Sequence, residues 1–312
     1  MNFILRRIVI ALITLLLVSV FTFLAFSVIR GDPASLVLGI EAGEEQLAAM
    51  REEMGLNKSL PERYTAWIKN FISGDLGNSL RFRGEAISDM IRSRLPVTFS
   101  LALLSLLFVL LIAVPASLFS VRREGGLVDR LINTLTAVNI SVPGFFLGVL
   151  LIWVFGVSFR FFSPGIYVDY RENFGGFLAC LFFPALAIAI PNAAVLVKFL
   201  RSSLFREMRS DYVRTARSKG AGTRRVLYHH ALRNALVPSI TVLGMIIAEV
   251  FSGSIVIEQV FTIPGTGRLL IASIASRDYP LIQTLVVYIA FIVVLANTLA
   301  DIAIRIVDPR IK

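Results

Sequence analysis

Two long apolar runs of the chain are separated by the polar stretch Asp211-Tyr-Val-Arg-Thr-Ala-Arg-Ser-Lys-Gly220, continued by Ala-Gly-Thr-Arg-Arg-Val-Leu-Tyr-His-His-Ala-Leu-Arg-Asn-Ala-Leu-Val-Pro238. The first half is rich in arginine and alanine. It predicts a helix that ends at Gly220 and Gly222, because glycine commonly follows the last residue of a helix. A second helix is predicted to begin near Thr223, a suitable N-cap residue, and to continue into the next apolar run. The stretch therefore predicts a helix–turn–helix hairpin between two apolar helices.

These apolar runs belong to a strongly hydrophobic chain. Of its 312 residues, 56% are hydrophobic and 17% are charged, and the mean hydropathy is +0.77. A soluble domain carries about 25% charged residues, and about 20 apolar residues in a helix cross the hydrocarbon layer of a bilayer. Six runs reach that length: Ile8–Ile29, Phe99–Val121, Leu131–Phe155, Phe177–Val197, Val237–Ile257 and Leu281–Ile304. We therefore predict an all-α integral membrane protein with about six transmembrane helices.

Individual runs raise two further points. The first run follows Arg6 and Arg7, as the apolar region of a secretory signal peptide would. That region is usually only about 7–15 residues long, so we interpret the first run as a retained helix. Pro143, Pro184 and Pro191 lie inside the third and fourth runs, and we expect them to kink these helices.

The charge between the runs predicts the orientation in the membrane. The basic loop, defined here as Lys198–Ala235, contains ten basic and two acidic residues, whereas the loop Ser158–Gly176 has no net charge. Short cytoplasmic loops are enriched in lysine and arginine, so the basic loop is predicted to be cytoplasmic. Counting runs from there places both termini in the cytoplasm. Since this rule also accounts for most of the net charge of +10, the charge does not indicate a nucleic-acid partner.

The orientation implies a division of the chain into three parts. They are a cytoplasmic N-terminus with the first transmembrane helix (1–30), an external segment (31–96), and a five-helix transmembrane core with the basic loop at 198–235 (97–312). Within the external segment, Gln46–Met54 and Tyr64–Ile72 have helical patterns. The pattern leaves open whether this segment forms short helices against the membrane surface or a partly ordered loop.

Few residues would support enzyme or metal chemistry. The chain has no Gly-x-x-x-x-Gly-Lys-Ser/Thr phosphate-binding loop, so we do not expect it to hydrolyse nucleotide. His229 and His230 are its only histidines and are adjacent, whereas two metal-binding histidines on a helix are four residues apart. The single cysteine, Cys180, cannot form an internal disulfide. We therefore expect no catalytic residue and no metal site.

The residues of the basic loop leave two interpretations open. It is either a solvated hairpin that only fixes the topology, or a docking element for a cytoplasmic partner. The glycines at its turn and its size between two membrane spans favour docking.

The hairpin also resembles part of a known family. The segment Thr215-Ala216-x-x-x-Gly220 is similar to the EAA loop of bacterial ABC-importer permeases. Arg214 stands where glutamate usually begins that motif, and Pro238 falls later than in sugar permeases, as in the dipeptide, oligopeptide and nickel importers. The resemblance covers nearly the whole chain, through Arg6-Arg7, Gly31-Asp32-Pro33-Ala34, Met54-Gly55-Leu56, Gly74-Asp75-Leu76-Gly77, Arg94-Leu95-Pro96, Glu258-x-Val260-Phe261-x-Ile263-Pro264-Gly265-x-Gly267-Arg268-Leu269, Arg277-Asp278-Tyr279-Pro280 and Asp308-Pro309-Arg310.

This resemblance implies a fold, a function and a set of partners. It implies the type I ABC-importer permease fold and a subunit that forms half of the translocation pathway for di- or oligopeptides. The implied partners are a second homologous permease subunit, two ATPase subunits and an external solute-binding protein. The ATPase subunits would bind ATP and Mg²⁺, so this chain would hold no cofactor and have no enzyme activity. The implied location is the bacterial or archaeal cytoplasmic (inner) membrane.

In this family the loop forms a coupling helix that sits in a groove of the ATPase subunit. The resemblance therefore assigns ATPase coupling to Asp211, Arg214, Thr215, Ala216, Lys219, Gly220, Ala221 and Gly222. The substrate has alternatives, because subunits of this pattern also import nickel, other metal complexes or glutathione-like solutes. A stand-alone secondary transporter is less favoured since no internal repeat is evident, and a membrane enzyme would need paired catalytic residues.

Two features outside the hairpin are also candidates for function. Glu249 lies inside the fifth run, where a carboxylate is costly. We expect it either to face the pathway or the partner subunit, or to be a protonated or paired structural residue. Pro264, Gly265 and Gly267 are predicted to form an external turn, which is either a plain turn or a gate or contact for the binding protein.

Overall fold

The chain is almost entirely helical in a computed structural model, which describes residues 3–28, 35, 43–53, 55–82 and 84–307. Its helices are α1 (Phe3–Val28), α2 (Glu44–Glu53), α3 (Leu60–Ser73), α4 (Ile87–Arg122), α5 (Leu127–Ser141), α6 (Gly144–Ser158), α7 (Phe174–Met208), α8 (Asp211–Ser218), α9 (Thr223–Val260), α10 (Thr266–Ser276) and α11 (Tyr279–Val307). Two segments within them are π-helical, Ile152–Ser158 in α6 and Val226–Ala231 in α9.

Among the described residues, five helices are long and apolar enough to cross a membrane: α1, α4, α7, α9 and α11. The pair α5 and α6 is a sixth candidate and is bent by 104°. The expected distortion at Pro143 is therefore confirmed in position, but it is a break between two helices rather than a kink within one. Val142 has an extended backbone with φ −94° and ψ 121°, because the proline that follows it disfavours the helical conformation. Pro184 and Pro191, in contrast, lie inside the continuous helix α7.

The described part of residues 1–96, together with residues 268–294, forms one compact unit. In it α3 packs on α1, where the hydroxyls of Ser19 and Tyr64 form a hydrogen bond of 2.8 Å. The rings of Phe23 and Tyr64 meet edge to face with centroids 5.4 Å apart. Helices α2 and α3 coincide with the two helical patterns of the external segment, and so favour short helices over a loop there.

A buried carboxylate organises the same unit. Asp278 is fully buried and accepts hydrogen bonds from the Ser79 hydroxyl and, at 3.3 Å, from the Arg81 backbone N–H. It therefore joins the end of the α3–α4 connection to the turn between α10 and α11. Of the segments that carried the resemblance, Gly31–Ala34, Met54 and Asp308–Arg310 lie outside the described residues.

The second compact unit comprises residues 97–267 and the described part of 295–312. Helix α7 is its central element and packs against α5, α6 and α9. Small side chains let membrane helices approach closely, and five alanines of α7 are buried: Ala185, Ala187, Ala189, Ala193 and Ala194. This packing positions both candidate sites described below.

The turn after α9 is held by a second buried carboxylate. Glu258 is fully buried, and its carboxylate accepts from the Thr98 hydroxyl and from the Gly267 backbone N–H, both at 2.7 Å. The Thr98 hydroxyl in turn accepts from the Thr266 N–H at 2.9 Å. These contacts give the glycine-rich turn a structural role.

Candidate functional site

The hairpin has the helix–turn–helix form that the sequence predicts. Helix α8 ends at Ser218, and Gly220 has φ +82°. The Ala221 N–H donates to the Ala216 carbonyl at 3.1 Å and the Gly220 N–H to the Arg217 carbonyl at 2.9 Å. This pair of bonds is the Schellman motif, which requires a left-handed residue after the helix and so favours glycine.

The expected N-cap at Thr223 is wrong by one residue. Gly222 is the N-cap of α9, with an extended backbone of φ −66° and ψ 153°. Its carbonyl accepts the first helical hydrogen bond, from the Val226 N–H at 3.1 Å. Thr223 is already inside the helix, so the turn between α8 and α9 consists of residues 219–222.

One apolar side chain anchors α8 to the rest of the unit. Val213 is fully buried, and α8 packs against the π-helical segment of α9, where Val226 and Leu227 are also buried. The Tyr212 hydroxyl donates to Glu207 at 2.7 Å. Burial, followed by the hydrogen bond to Glu207, raises the pKa of the Tyr212 hydroxyl. Sequence reasoning missed Val213, although it is the only branched aliphatic residue between Asp211 and Gly220.

Most of the residues expected to couple to an ATPase lie on the outward surface of the hairpin. Ala216 and Ala221 are half-buried, and the others are exposed: Asp211, Arg214, Thr215, Lys219, Gly220 and Gly222. The structure therefore brings all eight together on one projection. The projection has a polar, mainly basic surface, and the small side chain of Ala216 lies at its edge, three residues after Val213 and so near the same face of α8.

The base of the hairpin is an apolar cluster where three long helices meet. Its buried members come from the end of α4, the second half of α7 and the start of α9: Leu118, Val121, Leu200, Leu204, Leu227, Ala231 and Ala235. Because α9 begins in the hairpin and continues through the cluster, a displacement of the hairpin is transmitted directly to the packing of α4 and α7.

A buried ion pair lies beside this cluster and was not predicted. Arg201 on α7 lies 2.8 Å from the Asp129 carboxylate on α5, and Asp129 also accepts from the Ser120 hydroxyl. The Gly125 N–H donates to the same carboxylate at 3.1 Å. Removing one partner of a buried pair leaves an uncompensated charge. The pair therefore ties α4, α5 and α7 together at the base of the hairpin.

Glu249 lies at a largely apolar cavity between the membrane helices. The cavity has a volume of about 190 Å³, and its lining includes Gly144 from α6, Pro191 and Asn192 from α7, and Glu249 from α9. Glu249 is exposed in the isolated chain and makes no hydrogen bond or ion pair with any residue that the structure describes. A paired structural role is therefore not supported. Asn192, which is 7% exposed, was missed because it lies in an otherwise apolar run.

A larger cavity of about 600 Å³ lies elsewhere in the same unit. Its walls are largely aromatic, with rings that include Phe108, Phe162, Phe182, Phe183 and Phe261. Within the described ranges, no group of three or more histidine, cysteine, aspartate or glutamate residues is arranged to hold a metal ion. His229 and His230 are exposed on the π-helical segment of α9.

Comparisons with known proteins agree on one family. Residues 110–312 match the model described as binding-protein-dependent transport system inner membrane component. Residues 1–102 match the corresponding N-terminal model of binding-protein-dependent transport system membrane components.

Individual relatives match over almost the full length. A probable peptide ABC transporter permease of Sinorhizobium fredii is 36% identical over 310 residues, which cover 99% of both chains. The oligopeptide transport system permease protein AppB of Bacillus subtilis is 35% identical over 312 residues, again 99% of both chains. A putative peptide transport system permease of Brucella abortus is 36% identical over 99% of this chain and 98% of its own. The chain therefore belongs to the family of binding-protein-dependent transport system inner membrane components.

Proposed function

We propose that this chain is the permease subunit of an ATP-driven importer and forms half of a translocation pathway for di- or oligopeptides. The observation that carries the proposal is the structure of the hairpin. The buried side chain of Val213 anchors its exposed basic surface, and its second helix continues into the membrane as α9. A loop that served only to fix the topology would need neither the buried anchor nor the Schellman turn. The peptide class rests on the names of the relatives, each of which is described as a peptide or oligopeptide permease.

The proposed assembly contains four further chains around this one. They are a second homologous permease, two ATPase subunits that bind ATP and Mg²⁺, and an external solute-binding protein. Closure of the ATPase pair would move α8, and α9 would carry the movement into the apolar cluster at the base of the hairpin. Alternating access then follows from a change in how α4 and α7 pack against α9. In this scheme the chain itself performs no chemistry.

The orientation can be tested with an impermeant thiol reagent. In a Cys180→Ala background, single cysteines are placed at three exposed positions by Asn57→Cys, Glu172→Cys and Ser218→Cys. With the basic loop in the cytoplasm, the first two should be labelled in intact cells and the third only after the membrane is permeabilised. Labelling of the Ser218→Cys chain in intact cells would invert the proposed topology.

The assembly is tested by purifying the tagged chain from membranes in mild detergent. Mass spectrometry of the copurifying chains should identify a second permease and an ATPase that carries the phosphate-binding loop absent from this chain. Vesicles that contain this complex, supplied with the binding protein and ATP, should accumulate a labelled tripeptide. A chain that purifies alone and accumulates solute in response to an ion gradient would instead be a secondary transporter. Uptake of nickel or glutathione in place of peptide would reassign the substrate.

A further inference from the structure

The cavity beside Glu249 contains hydrogen-bond acceptors from two helices of the second unit. The first acceptor is Glu249 itself. A carboxylate at this depth is strongly disfavoured against lipid tails and normally faces a partner, a pathway or a compensating cation. No described residue of this chain compensates it. Its exposure in the isolated chain places it on the surface that the pathway or the second permease would occupy.

Asn192 provides the second acceptor, and its orientation is determined by a hydrogen bond. Its amide Nδ2 donates to the Ile188 carbonyl at 2.9 Å, so the other atom of the amide is the oxygen Oδ1. Oδ1 is buried and has no partner among the described residues. A buried acceptor without a donor is costly, so this site is suited to a ligand that brings a donor.

We propose that this cavity binds the protonated α-amino group of the peptide during its passage, with Glu249 as the counter-ion and Asn192 as an acceptor. An ammonium group has three N–H donors and no acceptor, which suits a carboxylate and an amide oxygen that lacks a donor. The volume of about 190 Å³ far exceeds the roughly 10–15 Å³ that one water requires. The site can therefore hold the amino group together with part of the first residue. This inference rests on the proposed function as a peptide permease.

The test uses the complete complex in vesicles, with the binding protein, ATP and radiolabelled trialanine. Glu249→Gln keeps the shape of the side chain but removes the negative charge. It should lower the initial rate of trialanine uptake by about tenfold or more, as expected for loss of a charge-assisted hydrogen bond. Glu249→Asp, which retains the charge, should stay close to wild type. Glu172→Gln removes a carboxylate from an exposed loop residue and is the matched control.

Two further readouts separate a binding role from a structural one. Hydrolysis of ATP stimulated by the loaded binding protein should persist in the Glu249→Gln complex, so that fewer peptides are taken up per ATP hydrolysed. N-acetyl-trialanine has no ammonium group. When it saturates the binding protein, as measured by calorimetry, wild type and Glu249→Gln should transport it equally.

The other outcomes would contradict either the ammonium site or the proposed function. Normal trialanine uptake by Glu249→Gln, or an equal loss for both peptides, overturns the ammonium site. Loss of the second permease or of the ATPases from the Glu249→Gln complex would make Glu249 an interface residue and would also overturn it. A wild-type complex that transports no peptide at all contradicts the proposed function instead.

Discussion

Replacing Ala216 by tryptophan is expected to abolish solute uptake while the chain remains inserted in the membrane at its normal level. Ala216 is half-buried on α8 and lies among the exposed basic residues of the hairpin. A small side chain at this position allows the hairpin to seat closely in a groove of an ATPase. An indole ring adds a large rigid volume at the edge of that surface and prevents close approach. The long apolar helices are unchanged, so insertion should not suffer.

The controls for this prediction separate bulk from polarity and charge. Ala216→Ser adds a single oxygen and should transport like wild type, and neither variant alters the positive charge of the loop. Uptake in cells is measured beside retention of the ATPases on the tagged permease. Normal uptake by Ala216→Trp would mean that the hairpin serves only to fix the topology. Lost uptake with full ATPase retention would move the defect from docking to transmission.

A second pair of variants probes the turn of the same hairpin. An added Cβ at Gly220 would meet no atom within 4 Å, so only the backbone conformation of φ +82° resists substitution. Gly220→Val should therefore strain the turn by about 1–2 kcal/mol and reduce uptake. Gly220→Asn should be milder, because asparagine tolerates the left-handed region. Equal uptake by the two variants would argue that the conformation of the turn does not matter for coupling.

Local sequence patterns were sufficient for the features that depend on local physics. Long apolar runs predicted α1, α4, α7, α9 and α11, because hydropathy and length alone determine whether a helix can span a membrane. The left-handed turn at Gly220 was also predictable, since few other residues adopt that conformation easily. The cap of α9 was placed at Thr223 on its side-chain type. In the structure the backbone of Gly222 begins the helix without any side-chain cap.

Features that depend on tertiary contacts were not predictable from the same patterns. Five prolines lie inside the apolar runs, but only the break at Pro143 produces a 104° bend. Pro143 is the only one of them followed directly by glycine, a pair typical of turns, but that pair does not by itself predict the angle of the bend. Asp129 and Arg201 are 72 residues apart, so their ion pair has no local pattern. Asn192 and Glu249 lie in different runs, and only the packing of α7 against α9 brings them to one cavity.

Gly267 differs from Gly220 because the surrounding atoms, and not the backbone conformation, exclude a side chain there. Its φ lies outside the left-handed region, but a Cβ there would lie closer to the Cα of Ile255 than non-bonded carbons approach. It would also lie 2.9 Å from the Cβ of Ile255 and 3.0 Å from Oε2 of Glu258. The backbone of α9 cannot rotate away as a flexible side chain could. The substitution must therefore separate the turn from α9 and break the 2.7 Å hydrogen bond from the Gly267 N–H to Glu258.

Gly267→Ala is therefore expected to destabilise the fold by about 3 kcal/mol or more. The added methyl group overpacks against the backbone of α9, and the buried carboxylate of Glu258 loses a hydrogen-bond donor. The measurement is the apparent melting temperature of the detergent-solubilised chain, together with its level in the membrane.

Gly253→Ala is the matched control on α9, because its Cβ would meet nothing within 4 Å and alanine is favoured over glycine in a helix by about 1 kcal/mol. The control should melt at or above the wild-type temperature, and Gly267→Ala well below it. A wild-type melting temperature for Gly267→Ala would show that the turn is not packed against α9 through Glu258. The glycines around the buried carboxylate would then need an explanation other than sterics, such as contact with an external binding protein.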